Sequence, residues 1–313
     1  SSPSLHVGLP AITPMARVDS WQRALQQLWG PSKQRVMRNV AAYNAVIGAC
    51  GRSMAVRQAL DVLSTMQTES MEVSVVTGNT ILGMYALCRQ PEAAFDWFRN
   101  MQALTIEADV ISYSCLLNAC EKVRWLDEAF EVFSMMKQNT VPPNVMTWSS
   151  LISVCGKCGK EEAAGEALIN MSKSAVEPDV VCFNAAIRAY ARSNGVDNAR
   201  HILEGMLSGA AQPNIITFNA LFSGYEKGGN IPEALRFFEE MRANQHQLRP
   251  NVVTYSTLIN ACEKNSYSRE ALSMYAGMKQ QAILPNIIAY TAAIRALQKS
   301  GILAQAKVLH AEM

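Results

Sequence analysis

The sequence predicts an all-α fold, a solenoid of stacked helix-turn-helix repeats, from three observations. A proline followed by Asn or Asp recurs at Pro143, Pro178, Pro213, Pro250 and Pro285, at separations of 35, 35, 37 and 35 residues. An independent alanine series keeps the same spacing: Ala59, Ala94, Ala129, Ala164, Ala199, Ala234, Ala271 and Ala306, each with a methionine seven residues later. Between these markers apolar residues return at helical intervals. A period of this size marks a repeat array, which grows in one dimension instead of adding globular domains.

Composition sets the outer limits. With 49% hydrophobic and 17% charged residues among 313, the chain can bury a core and is not disordered throughout. No run approaches the ~18 consecutive apolar residues of a membrane-spanning helix, so no membrane partner is expected. Eight cysteines are few for a disulfide scaffold of this length and suit a reducing compartment. A net charge of +2 neither demands nor excludes an anionic partner, so the placement of the charges matters more than their sum.

Taken in chain order, residues 1–20 are expected to be a poorly ordered leader. They hold one acid, Asp19, beside Ser1, Ser2, Ser4 and Arg17, which suits a transit-peptide remnant and directs the expectation to a mitochondrion or plastid. Residues 21–39 read as a degenerate half repeat, because Ala24 and Asn39 fall in register. Counting each unit from the apolar residue after Pro-Asn or Pro-Asp gives repeats at 40–74, 75–109, 110–144, 145–179, 180–214, 215–251 and 252–286, with an incomplete eighth at 287–313. The sixth carries two extra residues within Ala243–Arg249, where a loop absorbs them at little cost. The chain starts at Ser1 and stops eight residues short of a full repeat, so a fragment or processed chain is expected.

Positions within a unit are numbered here as columns. Columns 4, 8 and 11 are apolar, as in Tyr113, Leu117 and Cys120, or Phe218, Phe222 and Tyr225. That is one stripe at i, i+4, i+7, a first helix. Column 10 is mostly alanine (Ala49, Ala119, Ala189, Ala261, Ala296), small enough for a neighbouring helix to approach. Columns 20, 23, 24 and 27 are apolar, as in Ala234, Phe237, Phe238 and Met241, and form a second helix. The proline in column 34 is expected to end each unit by forcing its predecessor out of the α region. Neither helix buries its stripe alone, so the hairpins stack, and stacking curls them into a superhelix with a concave groove. The second repeat departs from pattern, with Gly78 for the column-4 aromatic, Leu87 for the column-13 base and Ala108 for proline. It loses a core knob and about 1 kcal/mol of helix propensity relative to alanine, and is the expected weak point.

Function must come from columns that packing leaves unexplained. Column 5 lies about 100° round the helix from column 4, on the face of columns 2, 9 and 13. It holds Asn44, Asn79, Ser114, Ser149, Asn184, Asn219, Ser256 and Thr291, all small hydrogen-bonding side chains. The last column holds Ser74, Asp109, Asn144, Asp179, Asn214, Asn251 and Asn286. It immediately precedes the next unit's first helix, so each pair can converge on one site. Helix capping is the bland account of the last column, but it does not reach column 5, an interior helical position that Asn and Ser disfavour. Column 13 is basic in Arg52, Lys122, Lys157, Arg192, Lys227, Lys264 and Lys299. Cations suit a helix C-terminus, yet one per repeat on the same face is also a ladder that can track a phosphate backbone. Column 2 is apolar on this otherwise polar face: Ala41, Val76, Ile111, Met146, Val181, Ile216, Val253 and Ile288.

These features resemble the pentatricopeptide repeat family, of the type built from uniform 35-residue motifs. The segments Val252–Lys264 and Pro232–Met241 carry the likeness most fully, and it covers residues 40–313 and, more weakly, 21–39. The resemblance implies a right-handed superhelix that binds single-stranded RNA, one base per repeat, in organellar RNA processing, stability or translation. It implies that column-2 side chains of adjacent repeats sandwich a base, that columns 5 and the last read its edge, and that column 13 meets phosphate. Under the family's pairing rules, Asn with Asp reads U, Asn with Asn reads C or U, Ser with Asn reads A, and Ser with Asp reads G. The rarer Asn44/Ser74 pair favours a pyrimidine, and Thr291 suggests a purine. The expected core is 5′-(C/U)UAG(C/U)(C/U)A-3′, bound by a monomer.

Catalysis finds little support in the residues. His6, His201, His246 and His310 are scattered without metal spacing. Cys155 and Cys158 are half of a zinc pattern with no second pair, and Cys155 sits in core column 11. The deaminase-like and aspartate-rich nuclease domains of the family's enzymatic members are absent. No cofactor, no metal and no enzymatic activity are expected; the alternatives are a helical scaffold for protein partners, or the RNA-binding part of a longer RNA-processing enzyme.

Overall fold

The computed structural model describes residues 19–29, 39–193, 195–209, 211–242 and 248–313. All but the last two residues of the expected leader lie outside the described residues, as do residues 30–38 of the half repeat and 243–247 of the insertion. Among the described residues there are 17 α-helices and no strand, the expected all-α solenoid of helix-turn-helix repeats.

The chain divides into two compact units, residues 1–143 and 144–313. The first holds α1 (Asp19–Trp29), α2 (Val40–Arg52), α3 (Val56–Thr68), α4 (Val75–Leu87), α5 (Pro91–Ala103), α6 (Val110–Val123) and α7 (Leu126–Gln138). The second holds α8 (Val145–Lys157), α9 (Glu161–Lys173), α10 (Val180–Arg192), α11 (Val196–Ser208), α12 (Ile215–Gly228), α13 (Ile231–Arg242), α14 (Val252–Lys264), α15 (Ser268–Gln280), α16 (Ile287–Lys299) and α17 (Leu303–Glu312). Within each unit the first helix of a repeat packs on its own second helix and on the first helix of the next repeat, as α2 does on α3 and α4, or α10 on α11 and α12.

The first helices start where they do because the last-column residue caps them. Asn39, Asp109, Asn144, Asp179, Asn214, Asn251 and Asn286 are all extended, and each accepts a backbone N–H from the first turn. Four of these are reciprocal boxes, closed by Ser112, Thr147, Thr217 and Thr254. Each cap contributes about 1 kcal/mol.

The second helices stop before the column-34 proline is reached, at a left-handed residue in column 31. Ser70, Thr105, Thr140, Ala175 and Ala282 all sit near φ +55°. The column-32 N–H then returns to the column-27 carbonyl, as Ile106 to Met101 at 2.9 Å and Val176 to Met171 at 3.2 Å. This is the bond pattern that closes a helix C-terminus, where glycine is the usual left-handed residue. None of these five positions is glycine, so the sequence carries no sign of the stop. Column 15 turns the hairpin in the same way at Met54, Arg89, Arg124, Gly159, Gly229, Ser266 and Gly301.

The core is wider than columns 4, 8 and 11. Column 7 is buried too, at Val46, Ile81, Leu116, Leu151, Ala186, Leu221, Leu258 and Ala293, because each first helix packs both on its own second helix and on a neighbouring first helix. The methionines from Met66 to Met278 in column 27 are fully buried, whereas Met313 is exposed. Small column-10 residues allow the close approach expected of them. A Cβ on Gly156 in column 12 would lie 2.9 Å from the Ala189 Cβ of the next repeat, and one on Gly224 would lie 3.0 Å from the Ala191 Cβ.

Candidate nucleic-acid interface

The face carrying columns 2, 5, 9 and 13 of the first helices is the candidate site. Its apolar members are not core. Val76, Ile111, Met146, Val181, Ile216, Val253 and Ile288 are 47–67% exposed, and Ala41 is exposed as well. A regular row of aliphatic side chains in water forgoes about 25 cal/mol for each Å² left uncovered, so intramolecular packing does not account for it.

Beside this row the polar columns meet. Asn79 Nδ2 donates to Asp109 Oδ1 at 2.9 Å, and Asn184 Nδ2 to Asn214 Oδ1 at 3.5 Å. In these two repeats column 5 and the last column therefore converge. Serine and threonine in column 5 behave differently, folding back on their own helix. Ser114 Oγ donates to the Val110 carbonyl at 2.7 Å, Ser256 Oγ to Val253 at 3.2 Å and Thr291 Oγ1 to Ile287 at 2.5 Å. Ser256 is buried, and Ser114 and Thr291 are half-buried. Ser149 is half-buried in the same column. Asn44 and Asn184 each hold a buried Oδ1 with no hydrogen-bond partner among the described residues, and an unmet buried acceptor is costly.

Capping accounts for the last column, and it also decides what that column can offer. Asn144 Oδ1 accepts from Thr147 N at 3.0 Å, Asp179 Oδ1 from Cys182 N at 2.9 Å, Asn251 Oδ1 from Thr254 N at 3.0 Å and Asn286 Oδ1 from Ala289 N at 2.9 Å. Ser74 Oγ accepts from Thr77 N at 3.5 Å. With Oδ1 committed to the helix, asparagine retains an Nδ2 donor and aspartate an Oδ2 acceptor. At Asp109, burial would raise the carboxyl pKa, but bonds from the Ser112 amide, Asn79, the Ser112 hydroxyl and the Ile111 amide outweigh it and hold the group below its ordinary range.

The expected cationic ladder is uneven. All seven column-13 cations lie in the last turn of their helices, where the helix dipole favours them. Lys264 Nζ is 2.7 Å from Glu226 Oε1. Lys299 Nζ is 2.8 Å from Glu263 Oε1 and donates to its carbonyl at 2.9 Å. Arg192 donates to the Gly156 carbonyl at 3.4 Å. In each case the partner is column 12 of the preceding repeat. Arg52, Lys122 and Lys227 are exposed and Lys157 is half-buried.

Sequence reasoning missed these column-12 acids, which only inter-repeat packing brings against the next cation. It also missed the column-3 hydroxyls of Ser112 and Thr254, although a Ser or Thr three residues after an Asn or Asp is itself a capping-box signature. Cys155 is buried, and burial together with Cys158 pushes its thiol up to about 11. Among the described residues no three His, Cys, Asp or Glu side chains gather where a metal could bind.

Comparison with known proteins finds the pentatricopeptide repeat domain over residues 31–88 and 97–158, the PPR repeat family over 143–192, 178–227, 213–264 and 250–299, and a PPR repeat over 76–106. Among solved structures, the pentatricopeptide repeat protein PPR10 from maize is similar with a TM-score of 0.67 at 26% identity, covering 90% of this chain and 41% of that one. PPR10 in complex with an 18-nt psaJ RNA element gives 0.50 at 22% identity, over 96% of this chain and 52% of that one, a likeness of fold alone. The chain thus spans about half or less of the length of those structures. No curated protein matches its sequence. With family matches running from residue 31 to residue 299 and first helices capped in the same way at each repeat, the chain belongs to the pentatricopeptide repeat family.

Proposed function

We propose that this chain binds single-stranded RNA in a sequence-dependent way, one base per repeat, with the core 5′-(C/U)UAG(C/U)(C/U)A-3′. The observation that carries the reading is the meeting of Asn79 with Asp109, and of Asn184 with Asn214, directly beside an exposed aliphatic row. Single-stranded RNA is recognised by flat apolar contacts on the base and hydrogen bonds at its edge, and this face supplies both. Family membership and the likeness to PPR10, a protein solved with an RNA element bound, support the same reading.

The chemistry of the pairs follows from what capping leaves over. Asparagine in column 5 beside aspartate offers a donor next to an acceptor, the complement of the uracil O4 and N3–H. Asparagine beside asparagine offers two donors, which suits the cytosine O2 and N3. Serine folded back on its helix leaves room for a purine. The column-13 cations contact phosphate, the chain acts as a monomer without catalysis, and it works in a mitochondrion or plastid.

Selection of bound RNA from a random pool tests the reading in one step. Enrichment of the stated core is expected; a pool that stays random, or that favours duplexes, overturns it. Import of a precursor into isolated organelles tests the location, and purely cytosolic residence counts against it.

A further inference from the structure

Ser112 and Thr254, in column 3 of repeats 3 and 7, are fully buried, so neither touches a ligand. Both nevertheless reach the column-5 asparagine of the preceding repeat. The Ser112 Oγ accepts the Asp109 N–H at 3.2 Å, and its single proton has Asn79 Oδ1 at 2.6 Å, nearer than Asp109 Oδ1 at 3.1 Å. Thr254 repeats the arrangement. It accepts the Asn251 N–H at 3.2 Å and donates to Asn219 Oδ1 at 2.8 Å, with Asn251 Oδ1 at 3.1 Å.

A primary amide has two ends of opposite hydrogen-bonding character and similar shape, so rotation about its last bond inverts what it shows to a ligand. A hydroxyl proton aimed at Oδ1 removes that freedom, because Nδ2 cannot accept it. We propose that the column-3 hydroxyl of the following repeat is a positioning residue for base reading, turning Nδ2 of the column-5 asparagine outward in the second and sixth repeats. The proposal rests on the RNA reading above and adds a third residue to each of those two pairs. At the second repeat the result is specific. Asn79 spends one Nδ2 hydrogen on Asp109 Oδ1 and keeps the other. All the bonds to the Asp109 carboxylate end on Oδ1, which leaves Oδ2 open among the described residues. A donor beside an acceptor then selects uracil over cytosine, whose edge has the opposite order.

The lock is not automatic. Thr217 in the sixth repeat instead accepts the Asn214 N–H at 3.1 Å and has Asn214 Oδ1 at 3.3 Å, while Asn184 Oδ1 stays unpartnered.

The test uses the full chain and four single-stranded RNAs that carry the core and differ only in its second base. Wild type and Ser112→Thr, which keeps the hydroxyl, are expected to prefer U by roughly tenfold or more, the range of a good two-bond base contact. Ser112→Ala is expected to bind all four within about threefold while still discriminating at the fourth base. A wild-type preference retained in Ser112→Ala, even with uniformly weaker binding, overturns the proposal and leaves the hydroxyl a cap. No preference at that base in wild type means that the RNA reading of the repeat has failed first. If Ser112→Ala does not fold, Thr254→Val against Thr254→Ser, scored at the sixth base, decides in the same way.

Discussion

The indole Nε1 of Trp97 donates to the carbonyl of Gly78 at 3.2 Å, across the two helices of the second repeat. Gly78 is where the other repeats place a large aromatic, and Trp97 from α5 has taken over that space with Met101. A Cβ on Gly78 would stand 2.6 Å from the Met101 Cε. The expected weak point is therefore filled from the second helix. Restoring the family pattern with Gly78→Tyr is predicted to destabilise by about 1–3 kcal/mol through overpacking, and Trp97→Phe by about 1 kcal/mol through the missing hydrogen bond. Urea unfolding of both variants measures this; a higher midpoint for Gly78→Tyr contradicts it.

The left-handed stops predict the opposite sign for a different glycine. Ala175 and Ala282 hold φ of 56° and 55°, where an L side chain costs about 1–2 kcal/mol. Glycine relieves that strain but adds freedom to the unfolded chain. Ala175→Gly and Ala282→Gly are each expected to stabilise by about 0.5–1 kcal/mol, read as a raised thermal midpoint. An unchanged or lowered midpoint means the turn is not strained.

The uneven ladder predicts two opposite responses. Replacing Lys157, Arg192, Lys227 and Lys264 with alanine should weaken all RNAs about equally. The logarithmic salt dependence should flatten by about 0.7 for each phosphate that is no longer neutralised. Glu226→Gln with Glu263→Gln should tighten binding and steepen it, because Lys264 and Lys299 no longer face carboxylates that compete with phosphate. A salt slope unmoved in both variants identifies the cations as helix-end charges only.

Asp109 predicts an acid limb. Its carboxyl is held below the ordinary range, so its contribution to stability is fully present above the unfolded value of about 3.9. That contribution is lost as pH falls through the lower folded value, where the proton must be taken up. The stability difference between wild type and Asp109→Asn should be constant from pH 7 to 5 and shrink below pH 4. A difference that grows towards low pH would reverse the assignment.

The fourth base tests pairing and positioning together. Ser149→Asn creates an Asn/Asp pair with Asp179 and should turn the preference from G to U. Column 3 of the following repeat is Cys182, buried and without a hydroxyl, so the single change should give a weak switch. Adding Cys182→Ser should complete it to roughly tenfold. Equal preferences in the single and double variants would separate the pairing rule from the column-3 lock, and a retained preference for G would defeat the pairing rule itself.

Much of this protein is legible in its amino-acid sequence. Period, helix pairing and the buried columns follow from short-range patterns, because each hairpin contacts only its neighbours and the same local solution is repeated. The polar columns were legible for the same reason: Asn79 stands out as a residue that neither packing nor helix propensity favours inside a helix, and Asp109 as a capping residue type that returns at the end of each unit. The helix stops were not, since Thr105 and Ala175 adopt a left-handed turn that their identities disfavour, and the closing bonds to Met101 and Met171 enforce it. Nor were the links between helices, whether within a repeat or across two. Ser112 to Asn79, Lys264 to Glu226 and Trp97 to Gly78 each depend on how far one helix is shifted and rotated against the next. That displacement is set by the sizes of Ala189 against Gly156 and of Met101 against Gly78, a matter of side-chain volumes that no periodicity in the chain encodes.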